Sequence, residues 1–128
     1  MTTMIQGKVV RGKGFGRKLG FRTANLDRRY YSRKGLNVKH GVYAGTTTLQ
    51  NGKIYRSAIV IGPCDKMGLP LIESHLIGFK GDLYGKHLSL ELLKYIRPFK
   101  QFKREEDLVK QIKKDIQNIL RYFKMRGL

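Results

Sequence analysis

Short alternating strands, tight turns and a single amphipathic stretch at the C-terminal end predict a mainly β fold, a small antiparallel barrel covered by one helix. Three observations carry this expectation. The chain has 128 residues, enough for one domain that buries roughly two-thirds of the surface its unfolded form exposes. Apolar and polar residues alternate in several segments before Pro98, the period of strands half-buried on one face. From Arg104 onward the apolar residues recur instead at Leu108, Ile112, Ile116, Ile119, Leu120 and Phe123, one face of a helix of about five turns.

The elements follow in order. Residues 4–11, with Val9-Val10, read as a first strand that delivers the chain into a glycine-rich segment, 12–25. Residues 26–39 are polar and basic and read as a long surface loop. Residues 40–49 and 53–62 are β-rich, and Asn51-Gly52 between them supplies the two residues of a type I′ hairpin turn. Residues 63–70 read as a second loop. Residues 71–79 form a strand with Glu73 and His75 on one face, Gly81 to Gly85 a turn, and 87–97 a strand ended by Pro98. In the final helix Glu105, Glu106 and Asp107 occupy the first turn and Lys124 and Arg126 the last, complementing the helix dipole at both ends. Closure of the barrel leaves loops at one rim, where 12–25 and 63–70 are expected to meet.

Composition narrows the partners. Lys and Arg number 27 against 9 Asp and Glu, a field that attracts polyanions of any kind. Residues 1–40 hold eleven of the cations and only Asp27 among the acids. The one cysteine excludes an internal disulfide, and no Cys/His cluster suggests structural zinc. No signal-peptide core or membrane-length apolar run is present, so the expectation is a soluble, cytoplasmic, monomeric protein forming a single domain over 1–128.

Residues 12–25 point to a polyphosphate. Four glycines stand among Lys13, Arg17, Lys18 and Arg22, and the segment closes on Thr23 and Asn25. Glycine lets backbone N–H groups approach an anion while the cations neutralise it. The threonine hydroxyl suits a magnesium ion that the phosphates also hold. A P-loop is excluded, because Leu19 rather than Ser or Thr follows Lys18.

The order of glycine segment, Thr-Ala-Asn, Gly-Val-Tyr, Glu-x-His, Asp-Leu-Tyr-Gly and Ile-Arg-Pro before a terminal helix resembles the riboflavin kinase family over residues 7–115. The resemblance implies a six-stranded barrel of the riboflavin kinase type. It also implies transfer of the ATP γ-phosphoryl group to the 5′-hydroxyl of riboflavin, giving FMN and ADP with Mg²⁺. At this length the chain resembles the stand-alone kinase, without the adenylyltransferase half of bifunctional FAD synthetases. Carried over by residue, Gly14, Gly16, Arg17 and Gly20 match the loop over the nucleotide phosphates, and Thr23 and Asn25 the pair around the metal. Glu73 matches the catalytic base, Asp82 and Tyr84 a turn beside the nucleotide, and Arg97 a position near the flavin. His75 is assigned a structural role.

The chain departs from the family pattern in three places: Arg22 where a proline is usual, Gly62-Pro63-Cys64-Asp65 after the central strand, and Phe99 where an acid is common. Two other functions fit the composition. One is a basic nucleic-acid-binding barrel whose early cations track phosphates while Tyr30 and Tyr31 stack on bases. The other is a flavin-binding relic or sensor with weak kinase activity.

Overall fold

The computed structural model describes residues 2–12 and 21–128. Strands β1 (Thr3–Val10), β2 (Ala24–Leu26), β3 (Gly41–Thr48), β4 (Ile54–Cys64), β5 (Pro70–Leu76) and β6 (His87–Arg97) close into a barrel in the order β1-β2-β5-β4-β3-β6. Every neighbouring pair is antiparallel. A short helix α1 (Arg29–Arg33) follows β2, and the long helix α2 (Glu105–Met125) ends the chain. Among the described residues no helix is long and apolar enough to cross a membrane.

Alternation decides which side chains fill the barrel. Ile5 and Val9 of β1, Ile59 and Ile61 of β4, Ile72 of β5 and Leu88, Leu90 and Leu92 of β6 form one buried cluster. Successive strand residues face opposite sides of the sheet, so their neighbours face outward. The interior is not wholly apolar. Thr47, Ser57 and Ser74 are fully buried, and the Thr47 hydroxyl lies 2.8 Å from Ser57 Oγ and 2.7 Å from Ser74 Oγ. Each buried hydroxyl therefore has a partner, which removes the cost of an orphaned polar group.

Helix α2 packs on the outside of β3, β4 and β6. Ile119 and Phe123 are buried with Ala44, and Leu93, Ile96 and Ala58 pack around them. One ion pair fixes its position. Arg97, the last residue of β6, donates from Nε and Nη2 to the two carboxylate oxygens of Asp115 at 2.9 and 2.8 Å, and Gln111 Nε2 donates to Asp115 as well.

Four expectations need correction. Residues 26–39 are not simply a loop: they contain α1, and Tyr31 is buried with its hydroxyl accepting from Val38 N–H at 2.9 Å. The aromatic ring anchors a span whose polar surface reads as solvated. Residues 24–26, expected within the glycine-rich segment and the loop after it, form strand β2, since three residues are too few to show a period. The hairpin at Asn51-Gly52 exists, but no described residue other than glycine has positive φ, so Asn51 cannot complete a type I′ turn. Gly52 alone is left-handed (φ 89°), Leu49 N–H donates to Lys53 C=O, and Gly52 N–H donates to Leu49 C=O. This is the three-residue class of hairpin, a turn closed by a left-handed glycine. Finally, β4 runs on to Cys64 and β5 starts at Pro70, which shortens the loop between them. Asp65 accepts from the backbone N–H groups of Met67 and Leu69 and pairs with Arg28 at 2.6 Å. The hydrogen bond from Arg28 holds the Asp65 carboxyl below the ordinary range.

Asp115→Ala leaves the half-buried Arg97 guanidinium without its carboxylate. It is expected to lower unfolding stability by about 3 kcal/mol, read as a fall in the urea midpoint at unchanged slope.

Candidate active site

The site is built from the register of β2. Ala24 and Leu26 are buried in the barrel, so Thr23 and Asn25 face outward. Asn25 stands opposite Val10 of β1 on one side and Glu73 of β5 on the other. Ala24 pairs with the buried Ser74, which leaves Glu73 and His75 on the outer face of β5. A hydroxyl, an amide, a carboxylate and an imidazole thus share one face of two paired strands. Val60 of β4 lies on the far side of Glu73.

A cleft of about 700 Å³ opens beside this face, bounded by residues 9–12, 22–25, 74–76 and 79–84. Its walls are tied together by contacts the sequence does not announce. His75 Nδ1 donates to the carbonyl oxygen of Arg22 at 2.7 Å, fixing the backbone just before Thr23. The Arg22 side chain reaches across to the Gly81 carbonyl at 3.2 Å. Arg11 lies over the Tyr84 ring, 4.8 Å from its centroid, and Tyr84 N–H donates to Asp82 Oδ1 at 2.9 Å. Gly85 N–H donates to Val9 C=O, and Val9 N–H to Lys86 C=O, so the turn is stitched to β1. Gly85 holds φ 81°, a conformation that favours glycine.

Gly12 is the described end of the glycine segment. A β-carbon there would overlap the side-chain amide of Asn25, so the bare backbone is what lets residue 12 lie against Asn25.

Of the expected site residues, Thr23, Asn25, Asp82 and Tyr84 line one cleft, and Glu73 stands next to Asn25 in the register. Gly14, Gly16, Arg17 and Gly20 lie outside the described residues. Arg97 does not line the cleft; it sits opposite Val42 at the end of β6, bound to Asp115 and to the Pro98 carbonyl. The segment that faces 22–25 across the cleft is 79–84, whereas the 65–70 loop is anchored on Arg28 through Asp65 and the Leu69 carbonyl. Arg11 and Lys80 line the cleft as well; each is a cation flanking a motif, the glycine segment and the turn from Gly81 to Gly85, and that adjacency is the signal the sequence holds for them.

The donor set suits magnesium. Thr23 offers a hydroxyl and Asn25 an amide oxygen, both hard oxygens. Among the described residues no three His, Cys, Asp or Glu side chains gather into a closed metal cage. An ion that takes one or two protein oxygens and otherwise relies on substrate phosphates and water fits this arrangement. The base-stacking role considered for Tyr31 is incompatible with its burial.

Comparison with known proteins agrees with the fold. The family described as riboflavin kinase matches residues 1–123. The RNA-binding riboflavin kinase RibR of Bacillus subtilis is 36% identical over 129 residues, covering 98% of this chain but only 54% of that protein, so the chain spans about half the relative's length. The mouse riboflavin kinase is 35% identical over 116 residues, covering 88% of this chain and 75% of that one. The crystal structure of riboflavin kinase from Trypanosoma brucei superposes with a TM-score of 0.69 at 27% identity, covering 94% of this chain and 79% of that one. With the family model matched over nearly its full length and a relative 35% identical that it covers to three quarters, the chain belongs to the riboflavin kinase family.

Proposed function

We propose that this domain transfers the γ-phosphoryl group of Mg-ATP to the 5′-hydroxyl of riboflavin, with the nucleotide phosphates in the cleft beside residues 12–25. The observation that carries the assignment is the β2–β5 register, which sets Asn25 against Glu73 beside that cleft. Glu73 accepts the proton of the riboflavin hydroxyl as its oxygen bonds to the γ-phosphorus. The bond from that phosphorus to the β,γ-bridging oxygen breaks, and ADP leaves. Phosphoryl transfer asks little covalent chemistry of the protein, so positioning and charge neutralisation carry most of the catalysis.

The remaining roles follow from position. Thr23 and Asn25 would hold a magnesium ion, whose charge would offset that of the phosphates. Gly12 lies beside Asn25 at the cleft, and the resemblance gives the glycines at 14, 16 and 20 a role toward the nucleotide phosphates. Arg11, Arg22 and Lys80 make the cleft electropositive, and Asp82 shapes the turn that presents Tyr84. His75 is a positioning residue, acting through the Arg22 carbonyl. Arg97 acts first through Asp115. Three of its five N–H groups are used by Asp115 and Pro98, which leaves two for a flavin held near the following segment.

Incubation with riboflavin, ATP and magnesium, followed by chromatography, is expected to yield FMN. Glu73→Gln is expected to lower kcat by roughly 10²–10⁴ while nucleotide binding persists; unchanged turnover removes Glu73 as the base. Gly12→Ala is expected to raise KM for Mg-ATP by about tenfold or more, by displacing Asn25, with a smaller effect on KM for riboflavin. Equal changes in the two constants would detach Gly12 from the nucleotide site.

A further inference from the structure

A second concavity, of about 630 Å³, lies away from the cleft where the 100–104 segment meets α2. Lys100, Lys103, Arg104, Lys110 and Lys114 line it, against the single carboxylate of Asp107. Arg104 pairs with Glu106 at 2.6 Å; among the described residues no ion pair holds the other four cations. Phe102 sits half-buried in the same groove with the Lys100 ammonium 5.3 Å from its ring centroid.

The exposed face of α2 extends this surface. Lys113, Arg121 and Lys124 are exposed along with Lys110 and Lys114, so cations run from 110 to 124, roughly 21 Å of helix at 1.5 Å per residue. Like charges three and four residues apart oppose helix formation. A bound polyanion reverses the sign of that interaction. The opposite face of the helix carries the buried Ile119 and Phe123, so α2 has no apolar face to offer a bilayer. What it presents is a track of cations with an aromatic ring at one end.

We propose that the groove and the exposed face of α2 bind a single-stranded nucleic acid, with phosphates along the lysines and one unstacked base against Phe102. A single strand can turn a base toward an aromatic ring while its backbone follows the cations, which a stacked duplex cannot do. The surface shares no lining residue with the kinase cleft, so the two activities are separable.

The test is fluorescence anisotropy with a labelled, unstructured RNA of about a dozen nucleotides, titrated between about 50 and 200 mM salt. The triple variant Lys110→Gln, Lys114→Gln, Arg121→Gln is expected to weaken binding at least tenfold. It is also expected to reduce the salt slope by about 2, since each phosphate contact on a single strand contributes about 0.7. A control triple at exposed sites elsewhere, Lys8→Gln, Lys53→Gln, Lys66→Gln, removes the same charge and is expected to change affinity by less than about threefold. Phe102→Ala is expected to weaken binding at an unchanged salt slope. If the first triple fails to melt as the native protein does, Lys114→Glu alone is read in its place, against Lys66→Glu. Equal losses in the site and control variants, no binding by the native protein at the lowest salt, equal affinity for duplex DNA, or tighter binding to phosphatidylserine vesicles would each overturn the proposal.

Discussion

The pairing of β2 with both β1 and β5 is the constraint on which the rest depends. This three-residue strand is the segment that closes the barrel, since β1 and β5 meet only through it. The same pairing turns Thr23 and Asn25 outward and sets Asn25 beside Glu73. A slip of one residue would bury the amide and expose Ala24 and Leu26, because side chains alternate with a period of two. The register is held at both ends. Asp27 N–H donates to Lys8 C=O at 2.8 Å, Arg28 pairs with Asp65, and His75 grips the Arg22 carbonyl. Closing the fold and assembling the site are one structural event.

The excess of positive charge has two structural settings. Around the cleft, Arg11, Arg22 and Lys80 stand beside an aromatic ring, a hydroxyl and an amide, a mixed set that can orient a ligand as well as attract it. Along α2 the cations stand on an exposed helix face. The first setting suits a small ligand held for chemistry. The second suits a flexible chain, for which attraction counts more than orientation.

Much of this was legible in the sequence, for identifiable reasons. Strand β6 was read to the residue because Leu88, Leu90 and Leu92 alternate without interruption before Pro98, and α2 because its apolar residues keep a helical period. The expected closed barrel with six strands and a covering helix is the fold observed. Strand β2 was missed because its order comes from partners on both sides rather than from its own pattern. Helix α1 was missed because one buried tyrosine anchors an otherwise polar span. At the candidate site, motif order points to Thr23, Asn25 and Glu73, yet nothing local could show that Asn25 and Glu73 stand opposite each other. Arg97 shows the converse: its motif was legible, while its bonds to Asp115 depend on how a distant helix packs. Likewise Arg22 read only as a departure from a family proline, and its reach to Gly81 appears only in three dimensions.

The central claim is that Asn25 and Glu73 work as one unit because the β2–β5 register places them together. A double-mutant cycle on kcat/KM for FMN formation tests it most directly, comparing Asn25→Ala, Glu73→Gln and the double variant. The account predicts strong non-additivity, with the double variant little worse than the more damaged single one and a coupling of about 1 kcal/mol or more. Additive losses would mean that the two residues act independently and would contradict it.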